Sequence, residues 1–189
     1  MTMPATTHTE NSGAAGELEL VRQFVNSVDH ETGAEDLSSP AALSAWLAEH
    51  RLGPRGARLE GADLVRAVEL REALREALLA NNDEPLPPTT VRRLNEALGD
   101  VALGVRVNDD CTIDLEPAGA GVDAAFARIA AIIREAMLSG EWSRLKVCPA
   151  DDCLWAFYDR SRNRSRTWCS MEECGNRAKV KAFRERHSH

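Results

Sequence analysis

The sequence of 189 residues has few aromatic side chains, few cysteines and no long apolar segment. It contains four Phe, four Trp, one Tyr and five Cys. No run approaches the ~18 apolar residues of a transmembrane helix, and residues 1–16 lack the basic and apolar regions of a secretory signal. We therefore expect a cytoplasmic protein with no membrane partner, in which the cysteine thiols stay reduced.

Common catalytic motifs are also missing. The sequence has no glycine-rich phosphate loop, no Gly-x-Ser-x-Gly and no His-Glu-x-x-His. These absences argue against nucleotide hydrolases, serine hydrolases of the α/β type and zinc proteases. We therefore predict that the protein is not an enzyme.

Charge is distributed unevenly along the chain. The formal net charge is −7 at pH 7, which by itself argues against a nucleic-acid partner. Residues 1–140 hold 12 Lys and Arg against 23 Asp and Glu, whereas residues 141–189 hold 11 against 7. An acidic body thus carries a basic C-terminal part, and this asymmetry indicates that the basic part has a partner of its own.

Apolar periodicity predicts a mainly α fold with a small β-hairpin, in the α+β class. Residues 1–16 are predicted to be a disordered N-terminal tail, residues 17–140 a mostly helical domain, and residues 141–189 a smaller module. Helices are expected at 17–28, 40–52, 61–81, 89–98 and 122–139, and the hairpin strands at 101–107 and 111–116.

The sequence predicts whether two arginines and one cysteine of the body are exposed or buried. Arg71 and Arg75 are predicted on the outer face of the 61–81 helix, paired with neighbouring glutamates. Cys111, on the hairpin, is predicted to be a small buried hydrophobe.

The other four cysteines form the pattern Cys-x4-Cys-x15-Cys-x4-Cys, at Cys148, Cys153, Cys169 and Cys174. Four thiolates in two spaced pairs are the ligands of a closed tetrahedral zinc site. A redox or disulfide role and unrelated core cysteines are the alternatives. The spacing favours one structural Zn²⁺ ion in a C-terminal four-Cys zinc-binding module. A closed site has no open position for a substrate, so an enzyme using Glu172 or Glu173 as a base ranks last.

The zinc-binding module is predicted to contain a hairpin followed by a helix. The hairpin is placed between the two cysteine pairs, and the helix follows Cys174 with Val180 and Phe183 on its inner face. Four aromatic residues are expected to pack over the metal, with base stacking as the alternative: Trp155, Phe157, Tyr158 and Trp168.

The residues from Cys148 to about Arg186 resemble the CGNR zinc-finger family. That family is named for the Cys-Gly-Asn-Arg string, which stands here at 174–177. The preceding segment Phe-Tyr-Asp-Arg-Ser-Arg-Asn-Arg-Ser-Arg-Thr-Trp-Cys at 157–169 also resembles the family's finger. The resemblance implies a CGNR-type zinc finger over residues 141–189.

The body resembles the ABATE domain, which accompanies this finger in stress-induced transcription regulators. The likeness rests on Phe24-Val25-Asn26-Ser27, on the 40–52 helix and on the helix with Leu94-Asn95. Family members more often have Asp where this chain has Gln23, and Thr where it has Ser27. The resemblance implies an ABATE-like domain over residues 17–140 and a function as a bacterial-type transcription regulator.

The basic residues of the module predict DNA binding. Arginines that alternate along a hairpin beside a basic helix neutralise phosphates, and arginines also pair with guanine edges. The alternatives are that these side chains only solvate the module or pair with the acidic body, and that the module binds RNA or protein instead. The predicted nucleic-acid-binding residues are Arg160, Arg162, Arg164, Arg166, Arg177, Lys179, Lys181 and Arg184.

The helical body is then expected to sense a small-molecule effector or to form a homodimer, by analogy with other helical regulators. Asn26 and Ser27 are the candidates for an effector pocket, because they are polar residues beside an apolar stripe. A hydrogen-bonded helix end is the alternative role for these two residues.

Overall fold

The computed structural model of the protein describes residues 14, 16–54, 56–99 and 101–187. Most of the tail expected at 1–16 therefore lies outside the described residues. The elements in chain order are α1 (Leu18–Val25), α2 (Pro40–Glu49), α3 (Gly61–Ala80), α4 (Pro88–Leu98), β1 (Ala102–Val107), β2 (Ile113–Ala118), α5 (Gly121–Leu138), β3 (Leu145–Val147), β4 (Ala156–Tyr158) and α6 (Asn176–His187). Over this part of the chain the protein is mainly helical with two antiparallel two-stranded sheets, which confirms the predicted α+β class. No helix in the described ranges is both long and apolar enough to cross a membrane.

Local sequence signals explain where two of the helices begin. A serine followed by a proline is typical of a helix start, and α2 begins at Ser39-Pro40. The Ser39 hydroxyl oxygen caps the helix by accepting a 3.1 Å hydrogen bond from the Ala42 amide. The short helix α4 begins at Pro88, one residue before the predicted start, because proline is favoured at the first helical position. Thr90 is buried inside α4, where its hydroxyl donates to Glu76 of α3 over 2.7 Å.

The β1–β2 hairpin pairs Val105 with Leu115 and Val107 with Ile113, so these apolar residues share one face. Cys111 lies in the turn, is exposed and has a φ of 63°. The prediction that Cys111 is buried is therefore wrong, because the residue stands in a solvent-exposed turn.

One hydrophobic core extends from the helical body into the zinc-binding module. Its fully buried side chains include Phe24 of α1 and Phe126 of α5. The same cluster continues through both short strands of the module, which contribute Leu145, Val147, Ala156 and Tyr158. The β3–β4 hairpin therefore closes the core of the body as well as forming part of the module.

Arg71 and Arg75 of α3 are 3% and 4% exposed, so the prediction that they face solvent is wrong. Arg71 donates two hydrogen bonds to Glu35, at 2.7 and 2.8 Å. Arg75 donates to the backbone carbonyls of Val25 and Leu154. These acceptors come from distant parts of the chain, and they draw both guanidinium groups inward.

Candidate metal centre and basic surface

The structure brings the four predicted zinc ligands into one buried cluster. The sulfur atoms of Cys148, Cys153, Cys169 and Cys174 all lie within 4.8 Å of one another. Two of the separations, Cys153 to Cys169 and Cys169 to Cys174, are 3.5 and 3.6 Å. Four sulfurs at a Zn–S distance of ~2.3 Å stand about 3.8 Å apart at the corners of a tetrahedron. The donor set therefore fits one structural zinc ion.

The first cysteine pair forms the turn between β3 and β4. The Cys148 amide donates to the Trp155 carbonyl and the Cys153 amide donates to Ala150, both over 2.9 Å. Leu154 takes a φ of 49°, in the left-handed region, which reverses the chain toward β4. The turn thus presents both sulfurs on the same side.

The second pair lies at the start of the last helix. Cys169 ends a loop, and Cys174 belongs to a π-helical turn, Met171–Gly175, that leads into α6. The Ser170 hydroxyl accepts a hydrogen bond of 3.3 Å from the Glu173 amide, which caps this turn. The helix start therefore fixes the distance between the two sulfurs.

The electrostatics of the cluster favour metal binding. Hydrogen bonds from the thiols of Cys153 and then Cys169 lower the pKa of Cys148 to about 2. The same contacts with Cys148 raise the pKa of Cys169. Four thiols this close resist losing all their protons together, and a divalent cation supplies the charge that lets all four bind as thiolates.

Arg166 and Arg177 support the cysteine cluster directly. Arg166 donates to the carbonyls of Trp168 and Cys169, and its guanidinium lies 5.0 Å from the Phe157 ring centre. Arg177 donates to the Cys174 sulfur over 3.2 Å, and this bond raises the pKa of the arginine. Both arginines are half-buried.

The module's hairpin is not where the sequence predicts it. β3 pairs with β4 across the first cysteine pair, with Lys146 opposite Phe157. The residues that follow β4 form a loop instead of a second strand, because the buried Asp159 carboxylate accepts bonds from the amides of Ser161 and Arg166, at 2.9 and 2.8 Å. Lys146 is buried beside Asp159 at 3.2 Å. We call residues 160–166 the arginine loop.

Six of the eight predicted nucleic-acid-binding residues are exposed. Arg160, Arg162 and Arg164 project from the arginine loop, and Lys179, Lys181 and Arg184 lie on α6. Arg164 donates to the Ser143 hydroxyl over 3.0 Å, and Lys181 lies 3.5 Å from Asp151. The other two, Arg166 and Arg177, contact the cysteine cluster.

The apolar residues of α6 also differ from expectation. Val180 and Phe183 are 49% and 55% exposed, and α6 has no buried residue. The prediction that they form an inner face is wrong, because both side chains stand about half exposed to solvent.

The two candidate effector residues occupy different environments. Asn26 borders a cavity of about 480 Å³ between α1 and α2. Its side-chain amide both donates to and accepts from the backbone of Ala156, at 2.9 and 2.8 Å. Ser27 is 2% exposed, and its hydroxyl donates to the Phe24 carbonyl. Asn26 thus joins α1 to β4, whereas Ser27 lies inside the body.

Sequence reasoning missed the side chains that fasten the body to the module. Asn81 donates to the carbonyls of Trp142 and Leu145, and Asn82 donates to Val147, all within 2.9 Å. In the sequence, this Asn-Asn pair indicates only the end of α3. Nothing local to either residue identifies carbonyl partners more than 60 residues away.

The geometry defines a zinc-finger protein, in which a closed four-cysteine module completes the core of a helical body. Comparison with family models agrees with this description. The CGNR zinc finger matches residues 144–187. The ABATE family, described as "Putative stress-induced transcription regulator", matches residues 18–140. That match spans more than half of the chain, and the protein therefore belongs to the ABATE family. The two models describe a regulator and a zinc finger, not an enzyme. No curated protein matches the chain.

Proposed function

We propose that this protein regulates transcription by binding DNA through its zinc finger, while the ABATE part senses an effector or joins two copies of the chain. The observation that carries the proposal is the arginine loop. Three of its arginines are exposed on a segment that a buried Asp159–Lys146 pair holds in place. A backbone segment that is held in place presents its cationic side chains to phosphates at a smaller entropic cost than a mobile segment does.

The exposed face of α6 supports the same proposal. Lys179, Lys181 and Arg184 continue the positive charge beyond the metal centre, and α6 has the length to lie along or within a groove. Phosphate contacts from the loop and the helix together supply affinity that depends on salt. A regulator with reduced zinc thiolates would work in the cytoplasm.

A second candidate function is the binding of another protein. Val180 and Phe183 on α6 are about half exposed, and exposed apolar residues on a helix are typical of helix-mediated protein contacts. This alternative predicts affinity that salt barely changes, which separates it from DNA binding.

Salt dependence tests the proposal. The intact, zinc-loaded protein is titrated onto fluorescent duplexes, of random and of promoter-derived sequence, at about 50 and about 200 mM salt. With about four phosphate contacts, we expect the affinity to fall roughly 100-fold between these conditions. Absence of salt-dependent binding to any duplex would contradict the DNA-binding function.

A further inference from the structure

A cavity of about 510 Å³ opens between α3, α4 and α5, away from the metal centre. Its inner wall consists of buried apolar side chains, among them Leu70, Leu74 and Ile129. At the rim, Leu86 and Met137 are 42% and 55% exposed. This volume lies within the ~300–1,000 Å³ of small-molecule sites, and apolar walls are typical of them.

The size and lining of the cavity restrict what it binds. Two turns of a protein helix, ~10 Å wide and ~11 Å long, fill about 850 Å³, so the space suits a smaller molecule. The polar side chains of its lining are Asn81, Glu84 and Arg134. Glu84 and Arg134 carry opposite charges, so the lining selects neither an anion nor a cation. The chemistry fits a neutral, apolar molecule of one or two rings.

One wall of the cavity is joined to the chain that enters the zinc finger. Trp142 lines the cavity and begins the short 3-10 turn Trp142–Arg144, which leads directly into β3. Asn81, also in the lining, donates to the Trp142 carbonyl over 2.9 Å and to the Leu145 carbonyl over 2.8 Å. A molecule that displaces Trp142 therefore acts on this turn.

The same turn holds the arginine loop. The Ser143 hydroxyl accepts a bond of 3.0 Å from Arg164. Arg144 donates to the carbonyls of Asp159 and Ser161, each over 3.0 Å. Within these three consecutive residues, Trp142 lines the cavity, Ser143 contacts the exposed Arg164, and Arg144 bonds the backbone at the start of the arginine loop.

We propose that the α3–α4–α5 cavity binds a small, neutral, apolar effector, and that its occupancy changes the conformation of the arginine loop through the Trp142–Arg144 turn. This proposal rests on the proposed function, because it names the class of effector that the ABATE part would sense. Effector binding and loop coupling are both measurable without DNA. Any change in DNA affinity that the effector causes is matched by an equal change of effector affinity when DNA is bound.

Binding is tested with the neutral fluorescent probe N-phenyl-1-naphthylamine on the full-length, zinc-loaded protein. We expect saturable binding of one probe per chain. Ala130→Leu fills the cavity and should weaken probe binding at least ~10-fold. Ala124→Leu adds the same atoms to α5 outside the cavity lining and should bind like the wild type. Met137→Glu places a charge at the exposed rim and should also weaken binding, which covers the case in which Ala130→Leu misfolds.

Coupling is tested by hydrogen exchange of the 160–166 amides with and without the probe. We expect saturation to change their exchange rates several-fold in the wild type and in Ala124→Leu, but not in Ala130→Leu. Lack of saturable binding, or equal binding by the two leucine variants, would overturn the site. Unchanged loop exchange at saturation would overturn the coupling.

Two further outcomes can be distinguished from effector binding. If light scattering shows that the protein forms a dimer, and dimer formation expels the probe, the cavity is a contact between copies of the chain. That result would also overturn the proposal. Failure of the salt titration on DNA would remove the proposed function, yet it would leave probe binding and loop exchange unaffected as tests of the site.

Discussion

Arg71 shows how a single buried charge is accommodated in this fold. Its guanidinium is bound by Glu35 through two oxygens, by Glu72 at 2.8 Å and by the Ser27 hydroxyl at 3.2 Å. Burial raises the pKa of Glu35, but the bonds from Arg71 and from the Leu37 amide outweigh it, so the net pKa lies below 4.5. The arginine thereby ties α3 to the segment between α1 and α2.

Arg71→Ala should destabilise the protein by about 3 kcal/mol, because it leaves partly buried carboxylates without their partner. Urea unfolding measures this. Arg92→Ala is the matched control: Arg92 is 70% exposed and only reaches Glu96 at 3.6 Å, so its loss should cost less than about 1 kcal/mol. Equal destabilisation by the two substitutions would contradict the role of Arg71.

The same two variants should differ in how their stability depends on pH. Carboxylates with lowered pKa, such as Glu35 and Glu72, contribute stability above their unfolded value near 4.5, and this stability is lost as the pH falls through their folded values. The wild type and Arg92→Ala should therefore lose stability below about pH 5. Arg71→Ala should lose less over this range, since its carboxylates no longer have the cation that lowered their pKa.

At the metal centre, one sulfur is enough to test the ligand set. Cys169→Ser replaces a thiolate by a poor zinc ligand, so we expect the purified protein to hold much less zinc and to show altered near-ultraviolet circular dichroism. Cys111→Ser, a change at the exposed hairpin turn, should keep one zinc per chain. Metal analysis of both variants decides the matter, and full zinc content in Cys169→Ser would refute the four-cysteine site.

Elements with local signals could be predicted from the sequence, whereas those set by distant contacts could not. The Ser39-Pro40 start of α2 and the paired cysteines carry their own chemistry, and the structure contains both. The sequence places the module's hairpin between the two cysteine pairs, whereas in the structure β4 ends before Asp159, whose carboxylate is bound by Lys146, 13 residues earlier. Likewise, the inward turn of Arg75 depends on a carbonyl 79 residues away.

The arginine loop makes a prediction about DNA affinity. The double substitution Arg162→Ala and Arg164→Ala should weaken binding and reduce the salt slope by about one for each phosphate that is no longer neutralised. Zinc content should not change, because neither side chain contacts a cysteine ligand. Arg58→Ala with Arg92→Ala removes the same charge from exposed positions on the body. If that control weakens binding equally, only the overall charge matters, and the arginine loop is not the contact surface.

For the whole molecule, the shared core matters more than the boundary between the two matched families. The family matches meet near residues 140–144, yet Leu145, Val147, Ala156 and Tyr158 belong to the body's core cluster. A separation of the chain at Gly140 would expose that core. Sequence patterns suggest two independent domains because they record local periodicity and not which surfaces the strands cover.

Zinc removal should therefore affect the whole protein. A chelator frees the turn between β3 and β4, and we expect the helical signal at 222 nm to melt in one transition at a lower temperature than in the zinc-bound protein. Adding zinc back should restore the melting temperature. Helices that melt unchanged after complete metal loss would show that the body is independent of the module.

The hydrogen bonds of the Asn26 side chain affect the order in which the protein can fold during its synthesis. The Asn26 amide bonds to the backbone of Ala156, 130 residues further along the chain, so the end of α1 finds its partner only after most of the protein has been translated. The ABATE part leaves the ribosome before the strands that cover it, so its core is complete only after those strands have been synthesised. A strand in the later part of the chain thus supplies the partner for the end of the first helix.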